Sequence, residues 1–135
     1  MLLMRKTVDE LLAEARARFV RLTPEQAWAE VDAGEAILVD TRTSEQRHET
    51  GEIPGALVID RTVFEWRLDP ASEWRVPEVN DHDARVIVIC REGFSSSLAA
   101  ATLHDLGLRR ATDVIGGVEA WRAAGLPLRR SPEPD

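Results

Sequence analysis

The sequence contains only one cysteine, fewer basic than acidic residues and no long apolar run. A single cysteine cannot form an internal disulfide, so the chain does not require an oxidising compartment. The 17 lysine and arginine residues against 24 acidic ones give a net charge of −7. This balance disfavours nucleic acid or an anionic membrane as a partner, because phosphate contacts need a basic face.

Targeting signals and metal-ligand patterns are also missing from the sequence. No stretch approaches the roughly 20 apolar residues of a membrane span. Arg5 and Lys6 interrupt the short apolar patch at the amino terminus, which lacks the layout of a signal peptide. His48, His82 and His104 show no ligand spacing, so we predict no metal site. We therefore expect a soluble cytoplasmic protein that binds neither a membrane nor nucleic acid.

The length of 135 residues fits one domain with a single core. Short continuous apolar runs, typical of parallel strands covered on both faces, occur at 36–40, 57–59, 86–89 and 113–115, with 19–22 as a possible further strand. Apolar spacing and capping residues predict helices at 7–18, 24–33, 96–106 and 118–124. This alternation predicts an α/β fold with a mainly parallel sheet of about five strands and helices on both faces.

The single cysteine, Cys90, lies where the apolar run VIVI gives way to the polar segment REGFSSS. The carboxyl ends of parallel strands are where ligands bind, since short loops there lead into helix N-termini. A tight loop containing Gly93 can turn several backbone N–H groups toward one point and form an anion site. Such a site stabilises a thiolate, and Ser95, Ser96 and Ser97 offer hydroxyls and a natural N-cap. The pattern predicts an activated nucleophile in an anion-binding loop.

A second interpretation of Cys90 is a small buried hydrophobic residue, because free cysteine is among the most buried residue types. The position at a strand end and the polar loop with Gly93 favour the functional interpretation.

Five stretches, in this order, resemble a single domain of the rhodanese family of sulfurtransferases. They are LVDTR, ETGEIPGALVID, VIVICREGFSSS, DVIGGVEAW and GLP. The resemblance covers residues 19–128 and implies the rhodanese-like fold. Residues 1–18 are then a helical extension, and residues 129–135 are predicted as a flexible tail.

The resemblance implies that Cys90 takes a sulfane sulfur from a small donor such as thiosulfate and becomes a persulfide. The sulfur then passes to a thiol, cyanide or a protein acceptor in a ping-pong cycle, without a cofactor. The residues expected to bind substrate are Arg91, Glu92, Gly93, Phe94, Ser95 and Ser96. Asp40 and Arg42 are expected to support the loop by hydrogen bonding, and Trp66 and Arg67 are possible rim residues.

Two departures and two alternatives accompany this prediction. Many family members have Cys-x-x-Gly-x-Arg, whereas this chain has Ser95 at the last position, and Glu92 adds an acid beside a site for anions.

The first alternative is a non-catalytic rhodanese-like binding or regulatory module, although this chain keeps the cysteine and the loop glycine. A cysteine phosphatase or arsenate reductase is less favoured, because those enzymes need a longer loop and an arginine that binds the oxyanion.

Overall fold

The computed structural model describes residues 5–131 and contains a four-stranded parallel sheet. The strands are β1 (Ile37–Asp40), β2 (Leu57–Val58), β3 (Val86–Ile89) and β4 (Thr112–Asp113), in the order β2-β1-β3-β4. The predicted α/β class and parallel sheet are confirmed, with four strands in place of about five. In the predicted strand 19–22 only Leu22 pairs, through an isolated parallel bridge to Val114.

Within the described residues, six α-helices and one short 3-10 helix connect and cover the strands. They are α1 (Val8–Arg16), α2 (Pro24–Asp32), α3 (Ser44–Thr50), the 3-10 helix (Arg61–Val63), α4 (Phe64–Leu68), α5 (Ser95–Asp105) and α6 (Gly117–Ala123). The four helices predicted from apolar spacing are α1, α2, α5 and α6, and α3 and α4 were not predicted.

Side-chain capping explains where three of the helices begin. Thr7 with Glu10 and Thr23 with Gln26 form capping boxes at α1 and α2, as their spacing predicts. Thr43 and Gln46 form the same motif at α3. All seven side chains of α3 remain at least partly exposed, so this helix has no apolar periodicity to reveal it.

The sheet is covered on both faces, because successive side chains of a strand point in opposite directions. Val86 and Val88 pack into one core with residues of α4 and α5. Ile87 and Ile89 pack into a second core with residues of α2 and α6. The predicted helices on both faces of the sheet are therefore present.

The carboxyl-terminal segment is held to the fold by Arg129 and by Ser131, whose hydroxyl donates to Glu52 Oε1 at 3.5 Å. The backbone N–H of Arg129 donates to Glu52 O at 2.9 Å, and the Arg129 carbonyl accepts from Glu52 N–H at 2.7 Å. Arg129, assigned above to a flexible tail, is thus paired with the turn that follows α3, while residues 132–135 of that tail lie outside the described residues. Within residues 5–131 no helix is long and apolar enough to cross a membrane.

Candidate active site

Cys90 directly follows β3, and Asp40 ends the neighbouring strand β1. A cavity of about 330 Å³ lies at this edge of the sheet. Its lining consists of the loop residues Cys90, Arg91, Glu92, Phe94 and Ser95, together with Thr41, Arg42 and Gln46. Cys90 is only 5% exposed, so the surrounding loop controls access to its sulfur.

The backbone of Gly93 meets the sulfur of Cys90 directly. The Gly93 N–H donates to Cys90 Sγ at 3.2 Å. Gly93 has φ +86°, a conformation that favours glycine, and a Cβ there would lie 2.7 Å from the backbone nitrogen of Gly116. The loop therefore depends on a glycine at this position both for its turn and for its close packing against the start of α6.

The first turn of α6 fixes the direction of two further peptide groups in the loop. Val118 N–H donates to Cys90 O at 2.9 Å, and Glu119 N–H donates to Arg91 O at 3.0 Å. The C=O and N–H groups of a trans peptide point in opposite directions, and the described residues contain no cis peptide bond. The N–H groups of Arg91 and Glu92 therefore point away from α6.

Behind the loop, the buried carboxylate of Asp113 accepts hydrogen bonds from three side chains. Ser96 Oγ and Ser97 Oγ donate to Asp113 Oδ2 at 2.8 and 2.7 Å. Arg21 Nε donates to Asp113 Oδ1 at 2.8 Å. Because a buried charge needs partners, this cluster ties the first turn of α5 to the end of β4.

These bonds correct the roles expected of the serines. The N-cap of α5 is Phe94, and it makes no side-chain capping bond. Ser96 is fully buried, and its hydroxyl donates to Asp113 and not to the cavity. Ser95 does line the cavity. The serine cluster is therefore divided between the cavity and the support behind it.

Asp40 and Arg42 form a buried ion pair beside the cavity. Arg42 Nη2 donates to Asp40 Oδ2 at 2.8 Å and to Gly51 O at 2.8 Å, and its Nε also donates to Asp40. Both side chains are essentially inaccessible to solvent. The pair thus links the end of β1 to the turn that follows α3.

Of the remaining predicted site residues, Arg91 and Glu92 line the cavity, whereas Trp66 and Arg67 do not. The side chains of Arg91 and Glu92 are about half exposed, and Arg91 Nε lies 3.9 Å from Glu92 Oε1. Trp66 is 58% exposed, and Arg67 Nη1 donates to Trp74 O at 2.7 Å. Neither Trp66 nor Arg67 belongs to the lining of the cavity.

Sequence reasoning did not identify Arg16, Arg21 and Asp113 as parts of this region. Asp113 begins the predicted strand 113–115, whereas in the structure it ends β4, next to β3. The error in the strand bounds hid the position of this carboxylate at the carboxyl end of the sheet. The two arginines donate to the carbonyl of Gly93 from sequence positions more than seventy residues away. A local sequence pattern does not predict a contact over that separation. Across residues 5–131, no group of three or more His, Cys, Asp or Glu side chains is arranged to hold a metal ion.

The family model of the rhodanese-like domain matches residues 23–124. The chain belongs to this family. A thiosulfate sulfurtransferase of Actinobacillus succinogenes is 36% identical over 110 residues, covering 82% of this chain and 90% of that protein. Its counterpart in Haemophilus influenzae is 34% identical, covering 82% of this chain and 94% of that protein. The predicted rhodanese-type sulfurtransferase activity is thereby confirmed.

A similar solved structure carries a different description. It is a protein of unknown function from Rhodopseudomonas palustris, described as a possible tyrosine phosphatase, with a TM-score of 0.83 and 31% identity. The alignment covers 93% of this chain and 96% of that one. The likeness extends over more of this chain than the family model does.

The buried pair predicts a large loss of stability in Arg42→Ala. Removing the guanidinium leaves the Asp40 carboxylate buried without its charge partner, which costs about 3–5 kcal/mol. Urea unfolding of the variant should show this decrease in the free energy of unfolding. The matched control is Arg61→Ala, because Arg61 forms a more exposed pair with Glu65, worth less than about 1 kcal/mol. Equal losses in the two variants would contradict the bracing role of Arg42.

Proposed function

We propose that Cys90 is the sulfur-carrying nucleophile of this sulfurtransferase and that thiosulfate is its sulfur donor. The observation that carries the proposal is the Gly93 N–H donating to Cys90 Sγ at 3.2 Å beside a cavity. A backbone donor aimed at sulfur stabilises the thiolate, which is the nucleophilic form. The thiosulfate donor is suggested by the names of the relatives from Actinobacillus succinogenes and Haemophilus influenzae.

The reaction divides into two displacements at sulfur. In the first, the Cys90 thiolate attacks the outer sulfur of thiosulfate, the S–S bond breaks, and sulfite leaves with the bonding electron pair. Cys90 then carries a persulfide. In the second, cyanide or a thiolate of a small molecule or protein attacks the outer sulfur, and Cys90 departs as the thiolate. No redox cofactor is needed, because each bond that forms replaces one that breaks.

The loop supplies the groups that such a cycle needs. Thiosulfate, the persulfide and the outgoing sulfite are anions, and the N–H groups of residues 91 to 94 are suited to hold them. The start of α5 at Ser95 adds the positive end of its dipole next to the same point. Arg91, Glu92, Phe94 and Ser95 surround the donor in this proposal, with Gly93 contacting sulfur and Ser96 supporting from behind.

Two other functions have less support. A non-catalytic module has no need for a cysteine at the cavity with a backbone N–H donating to its sulfur. A phosphatase needs an arginine that binds the phosphoryl group. Arg42 is paired with Asp40, and Arg16 and Arg21 donate to the carbonyl of Gly93. Arg91 is about half exposed and lies beside the Glu92 carboxylate. The persulfide and the cytoplasmic location stay predictions.

Replacement of the nucleophile gives the first test of the proposal. Cys90→Ser should abolish thiocyanate formation from thiosulfate and cyanide, because a hydroxyl is a poor nucleophile toward sulfur and the chain has no second thiol. The variant should fold normally, since serine is close to cysteine in volume, and urea unfolding checks this. Retained turnover in a folded variant would refute the proposal.

The phosphatase alternative gives a negative prediction. Aryl phosphates should not be hydrolysed above the level of Cys90→Ser, because no arginine occurs between Arg91 and Arg109, where the loop of a phosphatase would supply one to stabilise a phosphoryl transition state. Release of nitrophenol from nitrophenyl phosphate measures this directly. Efficient hydrolysis that disappears in Cys90→Ser would overturn the sulfurtransferase preference.

Glu92 lines the cavity and repels a dianionic donor, so its charge should limit the use of thiosulfate. Glu92→Lys replaces a repulsion with an attraction worth about 1 kcal/mol at a partly exposed position. We expect a several-fold higher kcat/KM for thiosulfate at low salt, and a smaller gain at high salt.

The matched control for this effect is Glu35→Lys. Glu35 is exposed and precedes β1, at the opposite edge of the sheet from Cys90. The substitution Glu35→Lys makes the same change in net charge as Glu92→Lys but does not reach the cavity. The kcat/KM for thiosulfate should therefore stay within about twofold of the unmodified protein. An unchanged or lower kcat/KM for Glu92→Lys at low salt, or an equal gain in Glu35→Lys, would show that Glu92 does not select the donor.

A further inference from the structure

The carbonyl of Gly93, in the middle of the Cys90 loop, accepts hydrogen bonds from two arginines. Arg16 Nη2 donates to it at 2.7 Å, and Arg21 Nη2 donates at 2.9 Å. Hydrogen bonds from a charged donor are stronger than those between neutral groups. Two guanidinium groups on one loop carbonyl are more than is needed to satisfy a backbone acceptor, and together they fix the direction in which this carbonyl points.

The direction of the neighbouring N–H group follows from the geometry of the peptide. The carbonyl of Gly93 and the N–H of Phe94 belong to the same trans peptide and point in opposite directions. Two arginines hold the carbonyl toward α1 and the segment that follows it, so the Phe94 N–H is turned the other way, away from the arginines. A carbonyl that binds cations also polarises its peptide, which strengthens the attached N–H as a donor.

Arg16 occupies its position because α1 is held against α5. Arg16 ends α1, and its Nε donates to Ser97 Oγ at 3.0 Å. Its guanidinium also lies over the ring of Phe94, 5.7 Å from the ring centroid, within the range of a cation–π contact. Two residues later, Arg18 donates to Ala101 O and to Asp105 and fixes the same segment to α5 without touching the loop.

Burial and the neighbouring cation both act against the charge of Arg16 in this position, and nearby acidic groups offset part of that cost. Burial lowers the pKa of Arg16, and the charge of Arg21 lowers it further, while Asp113 and Cys90 act in the opposite direction. An arginine keeps its charge in spite of such a shift. The Asp113 carboxylate therefore offsets part of the repulsion between the two guanidinium groups that share the Gly93 carbonyl.

We propose that Arg16 is a positioning residue for sulfur transfer, holding the Gly93–Phe94 peptide so that its N–H serves the anion at Cys90. Arg16 lies outside residues 23–124, which the family model matches. Helix α1 therefore contributes a residue, Arg16, that supports the active-site loop. The inference deepens the proposed function, on which its kinetic consequence rests, whereas its structural consequence at Phe94 does not depend on any activity.

The test compares Arg16→Met with Arg18→Met in the full chain. Both substitutions remove a guanidinium that binds α5, but only the first removes a bond to the Gly93 carbonyl. Rates are divided by the fraction of chains that accept a sulfur after long exposure to thiosulfate, so a loss of folded protein does not count as a loss of rate. Arg16→Met should lower kcat/KM for thiosulfate about tenfold, less than the loss of a direct oxyanion donor. Arg18→Met should leave it unchanged.

A spectroscopic measurement tests the positioning itself. In ¹H–¹⁵N spectra, the amide resonance of Phe94 should shift in Arg16→Met and stay in place in Arg18→Met. Arg16→Lys, which keeps a cationic donor, should recover part of the rate and part of the shift. It also serves as the second variant if Arg16→Met does not fold.

The outcomes separate this inference from the proposed function. Equal rates in Arg16→Met and Arg18→Met, or an unmoved Phe94 amide, would overturn the positioning role of Arg16. If the unmodified protein accepts no sulfur from thiosulfate, the proposed donor or nucleophile is wrong, while the Phe94 resonance still decides whether Arg16 positions the peptide.

Discussion

The buried carboxylate of Asp113 is the constraint on which the candidate site depends. It ends β4, next to the strand that carries Cys90, and accepts hydrogen bonds from Ser96, Ser97 and Arg21. A buried carboxylate is costly unless it is paired and hydrogen-bonded. The start of α5 and the segment before α2 must therefore come to this point, and the loop between Cys90 and α5 is fixed between them.

Close backbone packing supplies the second constraint on the loop. A Cβ on Gly117 would lie 2.5 Å from Cys90 O, and one on Gly93 would lie 2.7 Å from Gly116 N. The glycines let α6 approach until its first turn donates to the carbonyls of Cys90 and Arg91. With those carbonyls bound on one side, the N–H groups of the loop are left for the other side, where the cavity lies. The sequence motifs around Cys90 and around Gly116 thus pack against each other and together fix the conformation of the loop.

Local sequence patterns predicted what depends on local physics. The apolar runs and capping boxes located the four strands and four of the helices, and the cysteine at the end of VIVI indicated the edge of the sheet that carries the site. Helix α3 was missed because its exposed side chains show no periodicity, although Thr43 and Gln46 offered a capping signal. Ser95, Ser96 and Ser97 are expected from the sequence to offer hydroxyls to the site and an N-cap, because N-capping is a common local role of serine. A tertiary partner, Asp113, takes two of their hydroxyls instead, and the support from Arg16 and Arg21 comes from equally distant parts of the sequence.

We propose that this loop holds sulfur on Cys90, and intact-mass spectrometry detects that sulfur without relying on turnover. The purified protein is exposed to thiosulfate, freed of the donor and weighed with and without later treatment by cyanide. We expect a mass increase of one sulfur atom, located on the peptide containing Cys90 and removed by cyanide. A protein whose mass does not change, although its Cys90 thiol is intact, would contradict the account.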